Sequence, residues 1–434
     1  MAARDVERRR YPSPILSFFT IVLLFIATIF VFSALRHLVD SDGISNGFQP
    51  PSARKNIRGD AFCNYTSGNW VRNQHFVTPR YDSSCKEIFK GWNCLSNRKS
   101  NARDLLQWRW NPSGCLLPPL DPVHFLGRFR NKSIGFVGDS LNRNMFVSLF
   151  CMLRRVAEGE VRKWRPAGAD RGFIFVNYNL TVAYHRTNLL ARYGSWSANS
   201  NGGTLESLGF KNGYRVDVDL PEQTWAEAPL VHDILIFNTG HWWWAPSKFD
   251  PVHSPMLFFE KGMPILPLVP PDVGIDITLK HMISYVEKRM KFGGIKFFRT
   301  QSPRHFEGGD WNKGGSCRRV KPLAIEEILL VTLRMLQNSP LLPEIKLKIF
   351  QVEDLFSLAK NGTNAEARSV NRHLFEALKG SSFRLLDITH MSEFRADAHP
   401  SITGGKKHED CMHWCLPGLT DSWNDLLVAL LQNS

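Results

Sequence analysis

The stretch Ile134–Met145, "IGFVGDSLNRNM", joins two different patterns. A short apolar run ends at Gly138, and apolar residues with helical spacing begin just after Ser140. This order predicts a buried strand, a tight turn and a helix. Ser140 therefore lies on a strand-to-helix turn. There it either caps the helix or presents its hydroxyl group as a nucleophile.

A strand-then-helix rhythm continues through most of the chain. Strands are predicted at Ser133–Val137, Asp233–Phe237, Ile295–Phe298, Ile345–Phe350 and Phe383–Ile388, and helices at Leu141–Leu153, Ile277–Met290, Leu323–Gln337 and Thr420–Leu431. Alternation of this kind indicates an α/β fold with three layers, in which helices cover both faces of a mostly parallel sheet. Residues 164–230 are rich in Gly, Asn and Tyr, and we predict hairpins and loops there.

The composition is that of a globular chain, with 434 residues, 43% hydrophobic and 12% aromatic. The net charge of +14 favours polyanionic partners in general. The basic residues are scattered, however, and no nucleic-acid-binding motif is present, so nucleic acid is not an expected partner.

The N-terminus predicts a membrane anchor. Ile15–Leu35 contains no charged residue, and it follows Arg4, Arg8, Arg9 and Arg10. An apolar run of this length spans a bilayer, and the preceding positive charge stays cytoplasmic. We predict a cytoplasmic tail (1–14), a type II signal anchor (15–35), a stem linker (36–60) and a lumenal region (61–434). The alternative is a long, cleaved signal peptide.

All the cysteines and glycosylation sequons follow this anchor. The cysteines are Cys63, Cys85, Cys94, Cys115, Cys151, Cys317, Cys411 and Cys415, and the sequons begin at Asn64, Asn131, Asn179 and Asn361. An even number of cysteines in an oxidising compartment predicts four disulfides, although spacing alone leaves their pairing open. Residues 61–130 are predicted to form a cysteine-rich, disulfide-stapled lobe beside the catalytic part at 131–434.

The base that would activate Ser140 is sought near the C-terminus. In "EDCMHWCLPG", Asp410 precedes His413 by three residues, a spacing that places both side chains on one face of a turn. The carboxylate then fixes the imidazole tautomer, while the other ring nitrogen faces the serine. Cys411 and Cys415 bracket this histidine, so two disulfides would hold the loop.

Two alternatives compete with this assignment. Cys411, His413 and Cys415 are a conceivable zinc site, although lumenal cysteines usually oxidise. Asp397 and His399 form a second Asp/His pair. Neither alternative is preferred.

Further polar and aromatic residues follow the predicted strands, where an α/β sheet gathers its functional groups. Asn238 either donates to an oxyanion or only ends its strand, and Arg143 either orients the site or forms an ordinary surface contact. Trp242, Trp243 and Trp244 either form a stacking surface for sugar rings or belong to the core. Arg299 and His305 remain without an assigned role.

Several of these motifs, in order, resemble the plant trichome-birefringence-like family. They are "CNYTSGNWV", "CKEIFKGWNC", "LLQWRWNPSGCLLP", "GFVGDSLNRN", "FNTGHWW", "RTQSPRHFEGGDW", "DAHPS" and "EDCMHWCLPG", and they cover the chain from about Cys63 to its end. Members of this family resemble SGNH/GDSL-type esterases and act as polysaccharide O-acetyltransferases. One departure is Asn64, where the family usually has aspartate.

The resemblance implies a role for each matching residue. Ser140 would be the nucleophile, His413 the general base and Asp410 its orienter, with support from Asn238, Arg143, Gly138 and Asp139. Gly194 is a suggested second oxyanion residue. The implied disulfides are Cys63–Cys115, Cys85–Cys151, Cys94–Cys415 and Cys317–Cys411.

The function implied by the resemblance is acetyl transfer through an acetyl-serine intermediate to a cell-wall polysaccharide. Xylan is the first expected acceptor, with mannan, xyloglucan and pectin as alternatives. The Golgi membrane is the expected location. No metal and no bound cofactor are expected, and an acetyl donor is required as co-substrate. The alternatives are hydrolysis by the same residues and non-catalytic polysaccharide binding.

Overall fold

The computed structural model describes residues 63–73, 78–199, 203–244, 254–309, 311, 314–324, 363–402 and 408–432. The predicted tail, anchor and stem, the strand at Ile345–Phe350, the sequon at Asn361 and nearly all of the helix at Leu323–Gln337 lie outside these ranges. Within the described ranges, no helix is long and apolar enough to cross a membrane.

The described strands form a central sheet, a second sheet and a separate two-stranded antiparallel sheet. They are β1 (Gly68–Arg72), β2 (Trp108–Pro112), β3 (Ser133–Gly138), β4 (Val161–Lys163), β5 (Arg171–Phe175), β6 (Leu180–Arg186), β7 (Ala191–Ser197), β8 (Asn212–Pro221), β9 (Ile234–Phe237), β10 (Met256–Glu260), β11 (Met263–Pro264), β12 (Ile295–Arg299) and β13 (Arg384–Leu386). Among the described residues, the central sheet has seven strands in the order β13-β12-β9-β3-β6-β5-β4. Neighbours from β13 to β6 are parallel, whereas β5 and β4 are antiparallel.

Helices cover both faces of the central sheet. The described helices are α1 (Pro122–Arg128), α2 (Ser140–Val156), α3 (Thr204–Ser207), α4 (Ala228–Val231), α5 (Pro271–Arg289), α6 (Thr363–Leu378), α7 (Thr389–Glu393) and α8 (Leu419–Gln432). Along β9, Ile234 and Ile236 pack into one core with α2 and α8, while Leu235 and Phe237 pack into a second core with α5. This alternation confirms the prediction of an α/β fold.

Residues 164–230 differ in part from the prediction. They do contain hairpins, since β5 pairs antiparallel with β6 and β7 with β8. However, β6 is also a central, parallel neighbour of β3, and β7 and β8 belong to a second sheet with the order β11-β10-β8-β7. The sequence analysis missed β6 because its buried side chains include Thr181 and His185, which interrupt an apolar strand pattern.

Two disulfides, Cys85–Cys151 and Cys94–Cys415, tie the cysteine-rich segment to the rest of the chain. The four pairs are Cys63–Cys115, Cys85–Cys151, Cys94–Cys415 and Cys317–Cys411, the same pairs that the resemblance implies. Cys94–Cys415 joins residues that are 321 positions apart. The two-stranded β1–β2 sheet also docks by a hydrogen bond, in which the Trp70 indole donates to the Met391 carbonyl group at 2.7 Å. The segment therefore packs directly on the part of the chain that contains Asp410 and His413.

Candidate active site

The turn between β3 and α2 places Ser140 at the first position of the helix. The helix cap is Asp139, whose carboxylate accepts a hydrogen bond from the Leu141 N–H at 2.9 Å. The capping role considered for Ser140 is therefore wrong. As the first helical residue, Ser140 has its hydroxyl group beside the N-terminal N–H groups of α2, which carry partial positive charge.

Neighbouring strands hold this turn from both sides. From β9, the Asn238 amide group donates to the Asp139 carboxylate at 2.9 Å and accepts from the Asp139 N–H at 3.2 Å. From β6, the Tyr184 hydroxyl group donates to the Asp139 carbonyl at 3.0 Å. Burial raises the pKa of Tyr184, so this donor keeps its proton. The amide of Asn238 has a second N–H, which can donate to a ligand.

Gly138 is required by this packing. Its φ angle is +154°, and a Cβ atom at this position would lie 1.9 Å from Oδ1 of Asn238. Gly194, by contrast, is exposed within β7, where a Cβ atom would meet nothing within 4 Å. Gly194 thus lies in the second sheet rather than in the turn around Ser140.

We expect the Gly138→Ala variant to lose about 2–4 kcal/mol of unfolding free energy, because the added methyl group displaces Asn238 and the backbone is strained. Thermal or denaturant unfolding of the full chain measures this loss. Gly194→Ala is the matched control, with a change of about 0.5 kcal/mol or less. Equal stability of both variants would contradict the packing described.

The structure brings Ser140, His413 and Asp410 together. Nε2 of His413 lies 2.8 Å from Oγ of Ser140, although the two residues are 273 positions apart. Nδ1 of His413 lies 3.0 Å from both carboxylate oxygens of Asp410. Asp410 also accepts the backbone N–H of His413 at 3.0 Å, which fixes the turn between them. This is the arrangement in which a carboxylate orients an imidazole toward a serine.

The loop that carries Asp410 and His413 is fastened at successive residues. Asp410 pairs with Ser401 through two backbone hydrogen bonds, and Cys411 is bonded to Cys317. The backbone of Trp414 exchanges two hydrogen bonds with the Asn144 side chain of α2. These contacts hold the imidazole over the serine turn.

The zinc alternative is wrong in the described structure. Cys411 and Cys415 are both oxidised, and their disulfides lead to different partners, Cys317 and Cys94. Asp397 does not pair with His399 either, because its carboxylate receives two hydrogen bonds from Arg395.

Arg143 lies one turn beyond Ser140 and close to two aromatic rings of the cysteine-rich segment. Its guanidinium group lies 5.3 Å from the ring centroid of Trp92 and 5.9 Å from that of Phe89. Burial and the nearby charge of Arg171 lower the pKa of Arg143. The Trp92 ring also lies against the His413 imidazole, with 5.0 Å between the two ring centroids. Trp92 is therefore a site residue that the sequence analysis missed, since no pattern links it to His413.

Replacing Trp92 with leucine is expected to lower kcat by about 3- to 10-fold, because the ring that packs against the His413 imidazole is lost and the imidazole is held less firmly over Ser140. Steady-state kinetics at one fixed pH measures this loss. Trp92→Phe keeps an aromatic ring and is the matched control. An unchanged kcat in a folded Trp92→Leu protein would argue against a positioning role for this contact.

The remaining motif residues have mainly structural partners. Trp243 is fully buried and belongs to the core, whereas Trp242 and Trp244 are half-buried. Arg299 is buried beneath α2 and donates to Oδ1 of Asn142 at 2.9 Å. His241, which the sequence analysis did not single out, lies 3.4 Å from the Asp139 carboxylate, and burial lowers its pKa to about 4.

The fold and the site define an α/β protein of the acyl-esterase class, with a serine at a strand-to-helix turn faced by a histidine–aspartate pair. The chain belongs to the GDSL/SGNH-like acyl-esterase family found in Pmr5 and Cas1p, whose model matches residues 117–430. The preceding residues 61–116 match the PMR5 N-terminal domain.

The relatives are trichome-birefringence-like proteins of Arabidopsis thaliana. Protein trichome birefringence-like 13 is 62% identical over 372 residues, covering 86% of this chain and 84% of the relative. Protein trichome birefringence-like 12 is 43% identical, with 87% of each chain covered. A protein named xyloglucan O-acetyltransferase 2 is 28% identical over 98% of this chain and 93% of its own length.

Proposed function

We propose that this protein transfers acetyl groups to hydroxyl groups of a plant cell-wall polysaccharide through an acetyl-Ser140 intermediate. The observation that carries the proposal is the 2.8 Å contact between Nε2 of His413 and Oγ of Ser140. His413 accepts the serine proton as Oγ attacks the acetyl carbonyl of the donor. We assign the Ser140 N–H and the second N–H of the Asn238 amide as donors to the oxyanion that forms.

The first half-reaction ends when the protonated His413 gives its proton to the leaving group of the donor, which departs and leaves acetyl-Ser140. In the second half-reaction the neutral imidazole takes a proton from a sugar hydroxyl group. That oxygen attacks the carbonyl carbon of acetyl-Ser140, the bond from this carbon to Oγ breaks, and the imidazolium returns its proton to Oγ, which forms the acetylated sugar and restores the serine. Asp410 stabilises the imidazolium form during both steps.

The acceptor and the location are proposed from the family. Xylan is the acceptor to test first, and xyloglucan stands beside it because one relative is named as a xyloglucan O-acetyltransferase. Trp242 is half-buried and lies against His241, whose Nδ1 is 3.4 Å from the Asp139 carboxylate, so we assign its ring as aromatic surface for a sugar chain. The Trp244 indole instead donates to Asp272 of α5 at 2.9 Å. We place the catalytic region in the Golgi lumen, with no resident cofactor and an acetyl donor as co-substrate.

The experiment incubates the purified full chain with 4-nitrophenyl acetate and deacetylated xylan or xyloglucan. Acetyl groups on the polymer and free acetate are quantified separately. Acetylated polymer supports the transferase, whereas free acetate alone supports the second candidate, a polysaccharide acetyl esterase, which the acyl-esterase family also accommodates. Polymer binding without either product would support a binding protein.

A further inference from the structure

Two histidines outside the triad meet directly beneath the catalytic loop. Nδ1 of His305 lies 2.7 Å from Nε2 of His399. The two outer nitrogens face backbone carbonyl groups: Nε2 of His305 is 3.0 Å from the Glu393 oxygen, and Nδ1 of His399 is 2.7 Å from the His413 oxygen. Both rings are buried, so their nitrogens face protein groups rather than bulk solvent.

The three contacts need more protons than two neutral imidazoles have. Each carbonyl oxygen accepts only, so both outer nitrogens must carry a proton. The central contact needs a third proton between the two rings. Two neutral rings carry one proton each, so one contact fails unless the pair binds an additional proton.

A second buried histidine pair has enough protons for all of its hydrogen bonds while both rings are neutral. Nε2 of His185 lies 2.8 Å from Nε2 of His232, and Nδ1 of His185 faces the Thr224 carbonyl oxygen at 2.6 Å. The other end is Oγ of Ser133, 2.8 Å from Nδ1 of His232. A hydroxyl group donates its own proton, so all three contacts form with both rings neutral.

We propose that His305 and His399 are positioning residues for His413, and that they share one additional proton, which lets His399 hold the His413 backbone carbonyl. The positioning of His413 for catalysis rests on the proposed function. The presence of the additional proton does not depend on that function. The backbone N–H of His305 also donates to the Cys411 carbonyl at 3.0 Å. The loop that carries His413 is therefore held at Cys411 by His305 and at His413 by His399.

Charges around the pair act in both directions. Burial by itself opposes protonation and lowers the pKa of both His305 and His399. Arg319 faces His305, and Lys99 faces His399, and both also disfavour a cation. The favourable partners are the Asp410 carboxylate and the two backbone carbonyls. The proposal requires that the completed hydrogen bonds outweigh burial.

The test compares the stability of wild type and His305→Gln, as full chains, between pH 5 and 9. A glutamine has two N–H protons, so with neutral His399 it supplies all three protons at any of these pH values. If the native pair binds its proton more tightly than unfolded histidine, wild-type stability is fully present below about pH 6.5 and is lost as pH rises through the native pKa.

We therefore expect wild type to gain stability over His305→Gln on acidification, by about tenfold in the unfolding constant per unit of raised pKa. A constant difference, or one that falls on acidification, overturns the proposal. All other titratable groups are present in both proteins, so a difference in pH dependence reports on the substituted pair. His399→Gln gives the same proton count if His305→Gln does not fold, and His185→Gln is the control without the shortage.

Kinetics supply the second readout. Wild-type kcat should fall on the alkaline side as the additional proton leaves, with KM little changed, and His305→Gln should lack this fall. The same alkaline fall in both proteins counts against the positioning role. If wild type shows no Ser140-dependent activity, the proposed function fails, while the stability comparison still decides the shared proton.

Discussion

Replacing Ser140 with alanine should reduce acetyl transfer by about 10⁴- to 10⁶-fold, because the attacking atom is removed while the fold is preserved. The hydroxyl group of Ser140 contacts Nε2 of His413 at 2.8 Å, and the cap of α2 is formed by Asp139 rather than by the serine. Acetyl transfer from 4-nitrophenyl acetate measures the rate. Mass spectrometry of the quenched protein measures the acetyl adduct.

The wild-type chain should gain one acetyl group in this experiment, and the Ser140→Ala chain none. Ser113→Ala is the matched control, since Ser113 is exposed and outside the site. An acetylated Ser140→Ala protein that still transfers acetyl groups would disprove the proposed intermediate. Equal thermal stability of the two variants would show that the loss is chemical.

The Asp410→Asn variant should lose about 10⁴-fold in kcat. Both Asp410 oxygens accept from the Nδ1 side of His413, at 3.0 Å, so the proton stays on Nδ1 and the lone pair of Nε2 faces Ser140. An asparagine that turns its NH₂ group toward Nδ1 selects the opposite tautomer, in which Nε2 carries the proton and cannot accept one. Steady-state kinetics across pH measures this loss.

Asp276→Asn is the matched control for this variant. Asp276 also pairs with a histidine, since its carboxylate lies 2.8 Å from Nδ1 of His373, but the aspartate is exposed and outside the site. We expect this control to keep wild-type kcat. A kcat for Asp410→Asn within tenfold of wild type would mean that Asp410 does not orient the base.

The sequence predicted the elements whose signals are local. The strand, turn and helix around Ser140 were visible because a glycine separates an apolar run from helical spacing. Asp410 and His413 were found because three residues of spacing place both side chains on one face. The structure gives β3 as Ser133–Gly138 and α2 as Ser140–Val156, close to the predicted bounds.

Signals carried by distant contacts were not visible in the same way. β6 was missed because its place in the sheet depends on pairing with β3, and its buried polar residues hide an apolar pattern. Trp92 was missed because its contact with His413 depends on how the cysteine-rich segment docks. The capping role of Asp139 was equally hidden, since adjacent Asp and Ser are both good caps.

The sequence by itself determined an α/β chain, a serine on a strand-to-helix turn and an Asp-x-x-His loop between two cysteines. Only the tertiary structure decided that this loop lies over that turn, with Trp92 against the imidazole and the His305–His399 pair beneath the loop. The physical reason is the sequence distance over which each interaction acts. Backbone preferences and side-chain periodicity act over a few residues. The active site is assembled by packing, hydrogen bonds and disulfides between segments up to 321 residues apart.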